Sequence, residues 1–341
     1  MPPRKTSSVT IRDVARQAGV SVATVSRVLN NSALIAPDTF NRVQVAIVEL
    51  NFVPRAAAQR LSNNQTNTIG LLLPEIGWDN FFPPMLQGIE AGCYEAGFDL
   101  LIHSTRHPQA QSLARRPVGE HNTDGLIVFI HSLPDDEIAR LYQRRFPIVL
   151  LHRSPPASLP IPHVVFENKA GAQKVTDHLI EAHAYRRIAF LAGPEGNEDA
   201  HWRELGYLES LAAHGIVHDP DLIRSGGFDE LIAFQTVAAW VAGGVPFEAI
   251  FAADDDSAYG AIHALQQAGL RVPEDVPVVG FDDSPTSRLF APPLTTVRAP
   301  IEQAGHRAAA LLGKLVRGEE TEMKVLLPTE LVVRRSCGCG G

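Results

Sequence analysis

The sequence predicts two parts of different fold class, an all-α helix-turn-helix headpiece at residues 1–61 and an α/β core of two parallel-sheet lobes at residues 69–335. The first part contains short helical patterns in close succession. The second alternates short apolar runs with helical stretches, which is typical of βαβ units. Because this alternation occurs in two successive series, we expect two lobes. Residues 62–68 are polar and are expected to form a linker, and residues 336–341 a short Cys/Gly tail.

Composition favours a soluble protein without a membrane partner. The chain has 341 residues, of which 45% are hydrophobic and 20% charged, as in ordinary globular proteins. No apolar run approaches the ~20 residues of a membrane helix, and the polar, basic start does not resemble a secretory signal. Three cysteines are too few for a disulfide framework and fit a reducing cytoplasm. We therefore expect a cytoplasmic location.

Charge is distributed unevenly along the chain. Residues 1–61 hold eight Lys and Arg against three Asp and Glu, whereas the whole chain has a net charge of −8. A basic head on an acidic body indicates a polyanionic partner for the head alone. Charge by itself fits a basic, solvated tail equally well.

Local signals near the amino terminus predict two helices and a tight turn. Thr10, with Asp13 three residues later, is typical of a capping box that begins a helix. Gly19 can end this helix because glycine accepts a positive φ at little cost. Ser21 can cap a second helix, and Pro37 occupies a favoured first position for a third.

Two short helices joined by a glycine turn form a helix-turn-helix, whose second helix fits the DNA major groove. Four side chains would face the base edges: Val22, Ala23, Ser26 and Arg27. Arg27 can pair bidentately with guanine, whereas Val22 and Ala23 offer only apolar contact, for instance to a thymine methyl group. Four others suit contacts outside the base edges: Thr10, Ser21, Thr24 and Asn30. The alternative is a small helical domain that binds protein.

The stretch from Ile11 to Leu61, including Asn51-Phe52-Val53-Pro54, resembles without gaps the headpiece of the LacI/GalR family of bacterial repressors. The remaining residues resemble the same family, whose core shares its fold with periplasmic sugar-binding proteins. The resemblance implies a sequence-specific DNA-binding transcription regulator that acts as a repressor on double-stranded operator DNA. One helix-turn-helix reads few base pairs, so we expect a homodimer on a pseudo-palindrome, with higher oligomers left open.

The resemblance also implies a hinge helix after Pro54 that folds on DNA. Leu61 would wedge between base steps in the minor groove, with Ala56 and Ala58 as its small packing neighbours. Such a wedge kinks DNA at the cost of unstacking; an ordinary linker helix is the alternative. Three residues depart from the family pattern. Ala36 stands where a Ser or Thr cap is usual, Phe40 where a basic residue is usual, and Gln59 where a hinge arginine is common.

Four stretches of the core carry family motifs: Asn80–Phe82, Trp202–Tyr207, Ala253–Gly260 and Gly280–Asp283. By resemblance, a small-molecule effector would be bound between the lobes by Phe81, Phe82, Arg203, Asp254 and Asp282, with Glu167 and Asn168 as weaker candidates. Arg and Asp supply forked donors and acceptors for adjacent sugar hydroxyls, so we expect a sugar. Asp254 stands where the family usually has Asn.

Other interpretations of these residues remain open. Phe81 and Phe82 could be core residues, Asp254 a helix cap, and Arg203 half of a surface ion pair. The effector could be a purine or nucleoside, and either an inducer or a corepressor. A ligand-binding receptor without operator specificity is a further alternative. By resemblance, the chain crosses between the lobes near Val164, Val297 and Glu322.

Catalytic and metal-binding patterns are missing from the sequence. It contains no G-x-S-x-G, P-loop, H-E-x-x-H or G-x-G-x-x-G motif, so we expect neither an enzyme nor a cofactor. His178, Glu181 and His183 resemble metal ligands, but residues five apart on a helix do not share a face. Cys337 and Cys339 alone are too few for structural zinc. We therefore expect no metal site and two reduced, exposed thiols.

Overall fold

A computed structural model describes residues 9–29, 35–52, 66–74, 80–105, 118–156 and 159–340. The chain divides into two compact units, Met1–Thr66 and Asn67–Gly341. Asn30 and the predicted hinge residues Ala58 and Leu61 lie outside the described residues.

Within its described residues, the first unit contains three helices: α1 (Ile11–Ala18), α2 (Val22–Leu29) and α3 (Pro37–Glu49). The predicted start of α1 is present, because the Thr10 backbone N–H donates to Asp13 Oδ2 at 2.9 Å. Gly19 adopts a φ of 65° at the end of α1, and the Thr24 N–H donates to Ser21 Oγ at 3.1 Å. The local capping signals in the sequence therefore mark both ends of α1 and the start of α2.

Apolar residues from all three helices form the core of the first unit. Val14, Val25 and Val43, one from each helix, are completely buried, and Ala15 is buried among them. Phe40 packs half-buried against this cluster. Its apolar ring contributes to packing, which accounts for an aromatic residue at a position that is usually basic.

The second unit contains two six-stranded sheets. The first has the order β2-β1-β3-β4-β5-β11, and its adjacent strands are all parallel. Its strands are β1 (Thr68–Leu73), β2 (Asp99–Ser104), β3 (Gly125–Phe129), β4 (Ile148–Leu151), β5 (His163–Phe166) and β11 (Lys324–Leu327). The inner strands β1, β3, β4 and β5 are buried along their whole length, as expected for a parallel sheet covered on both faces.

The second sheet has the order β7-β6-β8-β9-β10-β12. Its strands are β6 (Ile188–Ala192), β7 (Ile223–Ser225), β8 (Ala249–Ala252), β9 (Val278–Asp282), β10 (Thr295–Arg298) and β12 (Glu330–Val332). All adjacent strands are parallel except β12, which runs antiparallel to β10. The two sheets confirm the predicted pair of parallel-sheet lobes.

Helices flank both sheets. The first lobe contains α4 (Phe82–Ala96), α5 (Asp135–Gln143) and α10 (Ile301–Val316), and the second contains α6 (Asn168–Glu181), α7 (Glu198–Ala213), α8 (Glu230–Ala242) and α9 (Asp255–Gln267). None of the helices in the described part of the chain is long and apolar enough to cross a membrane.

Along its described residues, the chain crosses between the lobes three times, after β5, after β10 and between β11 and β12. The third crossing lies at residues 328–329 and not near Glu322, so that prediction is wrong. The reason is that β11 still belongs to the first lobe, where Lys324 is in register with His163 of β5.

The carboxyl-terminal segment is packed into the second lobe, which corrects the prediction of a tail with two exposed thiols. Ser336 and Cys337 are completely buried, and Cys339 is partly exposed. The Val278 N–H donates to the Ser336 carbonyl oxygen at 3.0 Å, and the Thr295 N–H donates to Ser336 Oγ at 2.8 Å. These bonds to β9 and β10 carry Cys337 into the interior.

Helices α4 and α10 of the first lobe pack so closely that glycine is required at their contact. A Cβ atom on Gly88 would lie 1.9 Å from the Glu302 carbonyl oxygen, and one on Gly305 would lie 2.4 Å from the Met85 carbonyl oxygen. Both obstacles are backbone atoms, which cannot rotate away as a side chain can. The two helix axes would have to separate to admit a methyl group.

We therefore expect Gly88→Ala to destabilise the core. Overpacking costs about 1–3 kcal/mol, which exceeds the gain of up to ~1 kcal/mol that alanine brings to a helix. The midpoint of urea unfolding measures this loss. Gly119→Ala is the matched control because no atom lies within 4 Å of its added Cβ, and it should change stability by less than about 0.5 kcal/mol. Equal midpoints for both variants would contradict the close packing.

Candidate functional site

The predicted DNA-reading residues lie along one outward surface of the first unit. Val22 is 41% exposed, and Ser21, Ala23 and Arg27 are also exposed. Thr24 and Ser26 are half-buried, whereas Val25 and Val28 point into the core. Helix α2 is therefore amphipathic in the sense required for one face to pack and the other to contact a partner.

Thr10 is already engaged within its own cap. Its hydroxyl donates to Asp13 Oδ2 at 2.7 Å, and its backbone N–H donates to the same oxygen. These bonds lower the pKa of Asp13. A phosphate contact by Thr10 would require one of these donors to leave Asp13.

In the second unit, Arg203 of α7 is the centre of a buried polar network. Only 2% of it is exposed. Its Nε donates to Asn168 Oδ1 at 2.9 Å, its Nη1 to the Ala253 carbonyl oxygen at 2.6 Å and its Nη2 to Asp282 Oδ1 at 2.9 Å. The guanidinium carbon lies 3.9 Å from the centroid of the Phe281 ring. Arg203 is therefore not half of a surface ion pair.

The elements that deliver these partners converge because of the sheet topology. Ala253 follows β8, Asp282 ends β9, and Asn168 begins α6 directly after β5. The carboxyl ends of parallel strands lie at the same edge of a sheet, where ligand crevices of α/β proteins form. Arg203 reaches this edge from the neighbouring helix α7.

A second pair extends the network into the first lobe. His152, directly after β4, shares a hydrogen bond of 2.8 Å through Nδ1 with Asp199 Oδ2 of α7. Asn168 Nδ2 donates to the other oxygen of Asp199 at 2.7 Å. The buried Nε2 of His152 has no hydrogen-bond partner among the described residues. We call His152, Asn168, Asp199, Arg203 and Asp282 the Arg203 cluster.

Aromatic rings surround the imidazole of His152. Its ring centroid lies 5.1 Å from that of Phe81, 5.2 Å from that of Phe129 and 4.8 Å from that of Phe166. Phe82 packs in the apolar core of the first lobe, which supports the core interpretation for this residue. Phe81, the other aromatic residue predicted for the effector site, is half-buried and lies against His152 of the Arg203 cluster.

The adjacent acidic residues hold the ends of the second sheet. Asp254 is buried and caps α9, with its Oδ1 accepting from the Ser257 N–H at 3.2 Å. Asp255 accepts from the Ser284 N–H at 2.7 Å and from Thr296 Oγ1 at 2.6 Å. The predicted cap role of Asp254 is therefore present, and Asp255 joins the loop after β9 to strand β10.

Burial strongly affects the ionisation of these carboxyl groups. Burial raises the pKa of Asp254 to about 7. The hydrogen bond from Ser257 opposes this rise, and the negative charge of Asp282 adds to it. Burial also raises the pKa of Asp282 to about 6, although Arg203 beside it opposes the rise. For Asp199, burial is outweighed by His152, Arg203 and Asn168, which lower the pKa.

In the part of the chain that the structure describes, three polar side-chain contacts join the lobes across the site. Besides His152 and Asp199, Asn80 Nδ2 donates to Asp256 Oδ1 at 2.8 Å. The Ser154 hydroxyl donates to Glu198 Oε1 at 2.6 Å, and its N–H donates to Glu198 Oε2 at 2.6 Å. The lobes are thus in direct polar contact at the rim and the centre of the crevice.

Sequence reasoning missed His152, Asp199 and Glu198. Asp199 precedes Arg203 by four residues, a spacing that places both on one helix face. His152 follows a buried strand at its carboxyl end, where ligand sites of parallel sheets lie. Both signals were present in the sequence.

Two family descriptions match the chain. "Bacterial regulatory proteins, lacI family" matches residues 10–55, and "Periplasmic binding protein-like domain" matches residues 176–337. These ranges contain the helix-turn-helix and most of the second lobe.

Several characterised proteins are similar along nearly their whole length. The HTH-type transcriptional repressor PurR of Aliivibrio salmonicida is 32% identical over 333 residues, which are 96% of this chain and 98% of that protein. The regulator CelR of Thermobifida fusca is 33% identical over 336 residues, with the same coverage. The regulator GalS of Salmonella typhimurium is 34% identical over 332 residues, or 96% of each chain.

Solved structures agree with these relatives. A complex of the transcriptional regulator CelR with cellobiose has a TM-score of 0.72 and 33% identity, covering 96% of this chain and 99% of that one. A lac repressor dimer bound to operator and the anti-inducer ONPF has a TM-score of 0.83 and 27% identity, covering 97% and 99%. With relatives above 30% identity over almost the entire length, this chain belongs to the LacI family of bacterial regulatory proteins, and it is a DNA-binding transcriptional regulator, not an enzyme.

Proposed function

We propose that this regulator represses transcription by binding operator DNA as a homodimer in the cytoplasm, and that a small effector bound between the lobes changes its affinity for the operator. The observation that carries the effector site is the Arg203 cluster, which is buried, contains residues of both lobes and leaves His152 Nε2 without a partner among the described residues. A ligand hydroxyl or ring nitrogen can satisfy this atom.

Helix α2 is proposed as the element that enters the major groove. Its exposed side chains combine one long cation, Arg27, with the small apolar groups of Val22 and Ala23. This combination suits one guanine contact beside thymine methyl groups. Ser21, Thr24, Ser26 and Thr10 supply hydroxyls close by, and Asn30, Ala58 and Leu61 stay predicted contacts from the sequence alone.

A sugar is the proposed effector class. The charged and amide groups of the Arg203 cluster can bind adjacent hydroxyls, and Phe81 lies against the cluster, where its ring can cover the apolar side of a sugar. The similar CelR structure contains cellobiose. A purine is the second candidate, since the rings of Phe81, Phe129 and Phe166 around His152 offer stacking surfaces and PurR relatives are similar along the chain.

A thermal-shift screen of mono- and disaccharides, nucleosides and purine bases, repeated with operator DNA present, separates these classes. A ligand that binds the folded protein raises its melting temperature. If its binding is coupled to DNA binding, it also changes operator affinity. A ligand that acts on melting but never on operator affinity would argue for a receptor without operator control.

We expect Arg27→Ala to weaken specific operator binding by about 1–3 kcal/mol, roughly tenfold for each 1.4 kcal/mol. The loss arises because a bidentate contact to guanine disappears. Fluorescence anisotropy with operator and with scrambled duplex measures it. Arg27→Lys is the matched control: it keeps the charge but not the planar fork, so it should lose base preference while retaining non-specific affinity. An unchanged operator preference in both variants would remove Arg27 from the base-reading residues.

We expect His152→Asn to weaken effector binding about tenfold, because asparagine can replace Nδ1 toward Asp199 but has no atom at the position of Nε2. Operator affinity without effector should stay close to that of the unchanged protein. His163→Asn is the control, since His163 is also buried but bonds the Ile161 carbonyl oxygen away from the cluster. Equal effector affinity for the two variants would exclude Nε2 as a ligand contact.

We expect Asp254→Asn to stabilise the core in a pH-dependent way. Folding raises the pKa of Asp254 from its ordinary value of 3.8 to about 7. The free energy of unfolding therefore falls as the pH rises from about 4 to 7, because the unfolded chain ionises this group more easily than the folded protein does. Asparagine can still accept the Ser257 N–H. The variant should gain on the order of a few kcal/mol in urea unfolding near pH 8 and little near pH 4. A gain that is constant with pH would contradict the assignment.

A further inference from the structure

Four residues with metal-binding side chains, two of them far from the others in sequence, meet in the second lobe. His178 lies in the last turn of α6, His183 lies just after this helix, and Cys337 and Cys339 belong to the carboxyl-terminal segment. His178 Nε2 lies 3.5 Å from Cys337 Sγ and 3.6 Å from Cys339 Sγ. His183 Nε2 lies 3.4 Å from Cys339 Sγ. All four ligand atoms lie within 4.8 Å of one another.

These distances match the edges of a zinc tetrahedron. Zinc binds sulfur at about 2.3 Å and imidazole nitrogen at about 2.0–2.1 Å, so the nitrogen–sulfur edges of a tetrahedral site are about 3.6 Å long. The three nitrogen–sulfur distances, from 3.4 to 3.6 Å, are compatible with a central ion.

We propose that His178, His183, Cys337 and Cys339 bind one Zn²⁺ ion in a closed Cys₂His₂ site. Four protein ligands complete the tetrahedron and leave no position for a water or a substrate, so the site is structural. The expectation of no metal site had two premises: that His178 and His183 lie on one helix, and that two thiols alone are too few for structural zinc. The first does not apply, because α6 ends at Glu181 and His183 lies beyond the helix. The second does not apply because the two imidazoles lie beside the thiols. Glu181 instead pairs with His214 at 3.2 Å.

The backbone between the two cysteines is suited to joint ligation. Gly338 separates them and has a φ of 96°, a conformation that glycine adopts at little cost. Both Sγ atoms can therefore face the same centre although only one residue lies between them.

Neighbouring groups support the ligands. Thr295 Oγ1 donates to Cys337 Sγ at 3.1 Å, and the ring of His183 stacks on Tyr185 at 5.6 Å with an interplanar angle of 14°. Contacts of this kind fix the orientation of metal ligands. Complete burial of Cys337 also excludes water from one side of the site.

The position of the cluster assigns the ion a role separate from effector binding. Ser336, the residue before Cys337, pairs with Val278 at the start of β9, whereas Asp282 of the Arg203 cluster ends the same strand. The ion would fasten the carboxyl-terminal segment to α6 at the amino end of the second sheet. The proposal therefore does not depend on the effector or on operator binding.

Metal analysis of the full-length protein, purified with reductant and dialysed after addition of Zn²⁺, tests the site directly. We expect one equivalent of zinc per chain, and loss of this equivalent in Cys337→Ser and Cys339→Ser. His183→Gln should also lose the zinc. It should disturb the fold less than the Cys337 variant because His183 is partly exposed. Cys93→Ser is the matched control, since Cys93 is a buried cysteine of the first lobe outside the cluster. The Cys93→Ser protein should retain its zinc.

Two further measurements decide between zinc and other states of the cysteines. Co²⁺ in place of Zn²⁺ should give the thiolate charge-transfer and tetrahedral ligand-field absorption of a Cys₂His₂ site, and removal of zinc by a chelator should lower the melting temperature of the unchanged protein but not of Cys339→Ser. Zinc bound equally by the cysteine variants would overturn the proposal. So would a zinc-free protein in which thiol titration in denaturant finds a Cys337–Cys339 disulfide.

Discussion

The second unit depends above all on the compensation of one buried positive charge. Placing a guanidinium in the interior costs several kcal/mol unless its donors are bonded and an opposite charge is close. Arg203 satisfies this condition with Asp282, the Ala253 carbonyl oxygen and Asn168. These partners come from the ends of β9 and β8 and the start of α6, so one side chain holds together the edge where the strands end. Any ligand that enters this edge must compete with, or add to, bonds that the fold already needs.

Closure of the lobes is coupled to the same charge. Asn168 bonds Arg203 through its oxygen and Asp199 through its nitrogen, and Asp199 bonds His152 of the first lobe. A continuous chain of hydrogen bonds therefore leads from the buried arginine to the opposite lobe. A ligand can shift the lobes between open and closed states only if it binds one state more tightly than the other. A ligand that bonds His152 or Arg203 would have such a preference, because it interacts with the hydrogen bonds that connect the lobes.

Features set by neighbouring residues were predictable from the sequence, whereas contacts between distant segments were not. The cap at Thr10, the turn at Gly19 and the alternation of strands and helices follow from local rules. Arg203 and Asp282 were found through motifs, but the partners His152 and Asp199 are 47 residues apart and come from different lobes. The third crossing was misplaced because β11 is short and alternates exposed and buried residues, so it lacks the apolar run that marked the inner strands.

Metal ligands in the carboxyl-terminal segment were equally hard to predict from the sequence. Two thiols separated by one glycine provide half of a tetrahedral site, and the sequence alone does not show which residues supply the other half. Backbone pairing of Ser336 with Val278 decides this, because it brings the thiols beside His178 and His183. Strand β9, buried throughout, then separates two polar centres, the thiol and imidazole cluster near its start and the Arg203 cluster at its end.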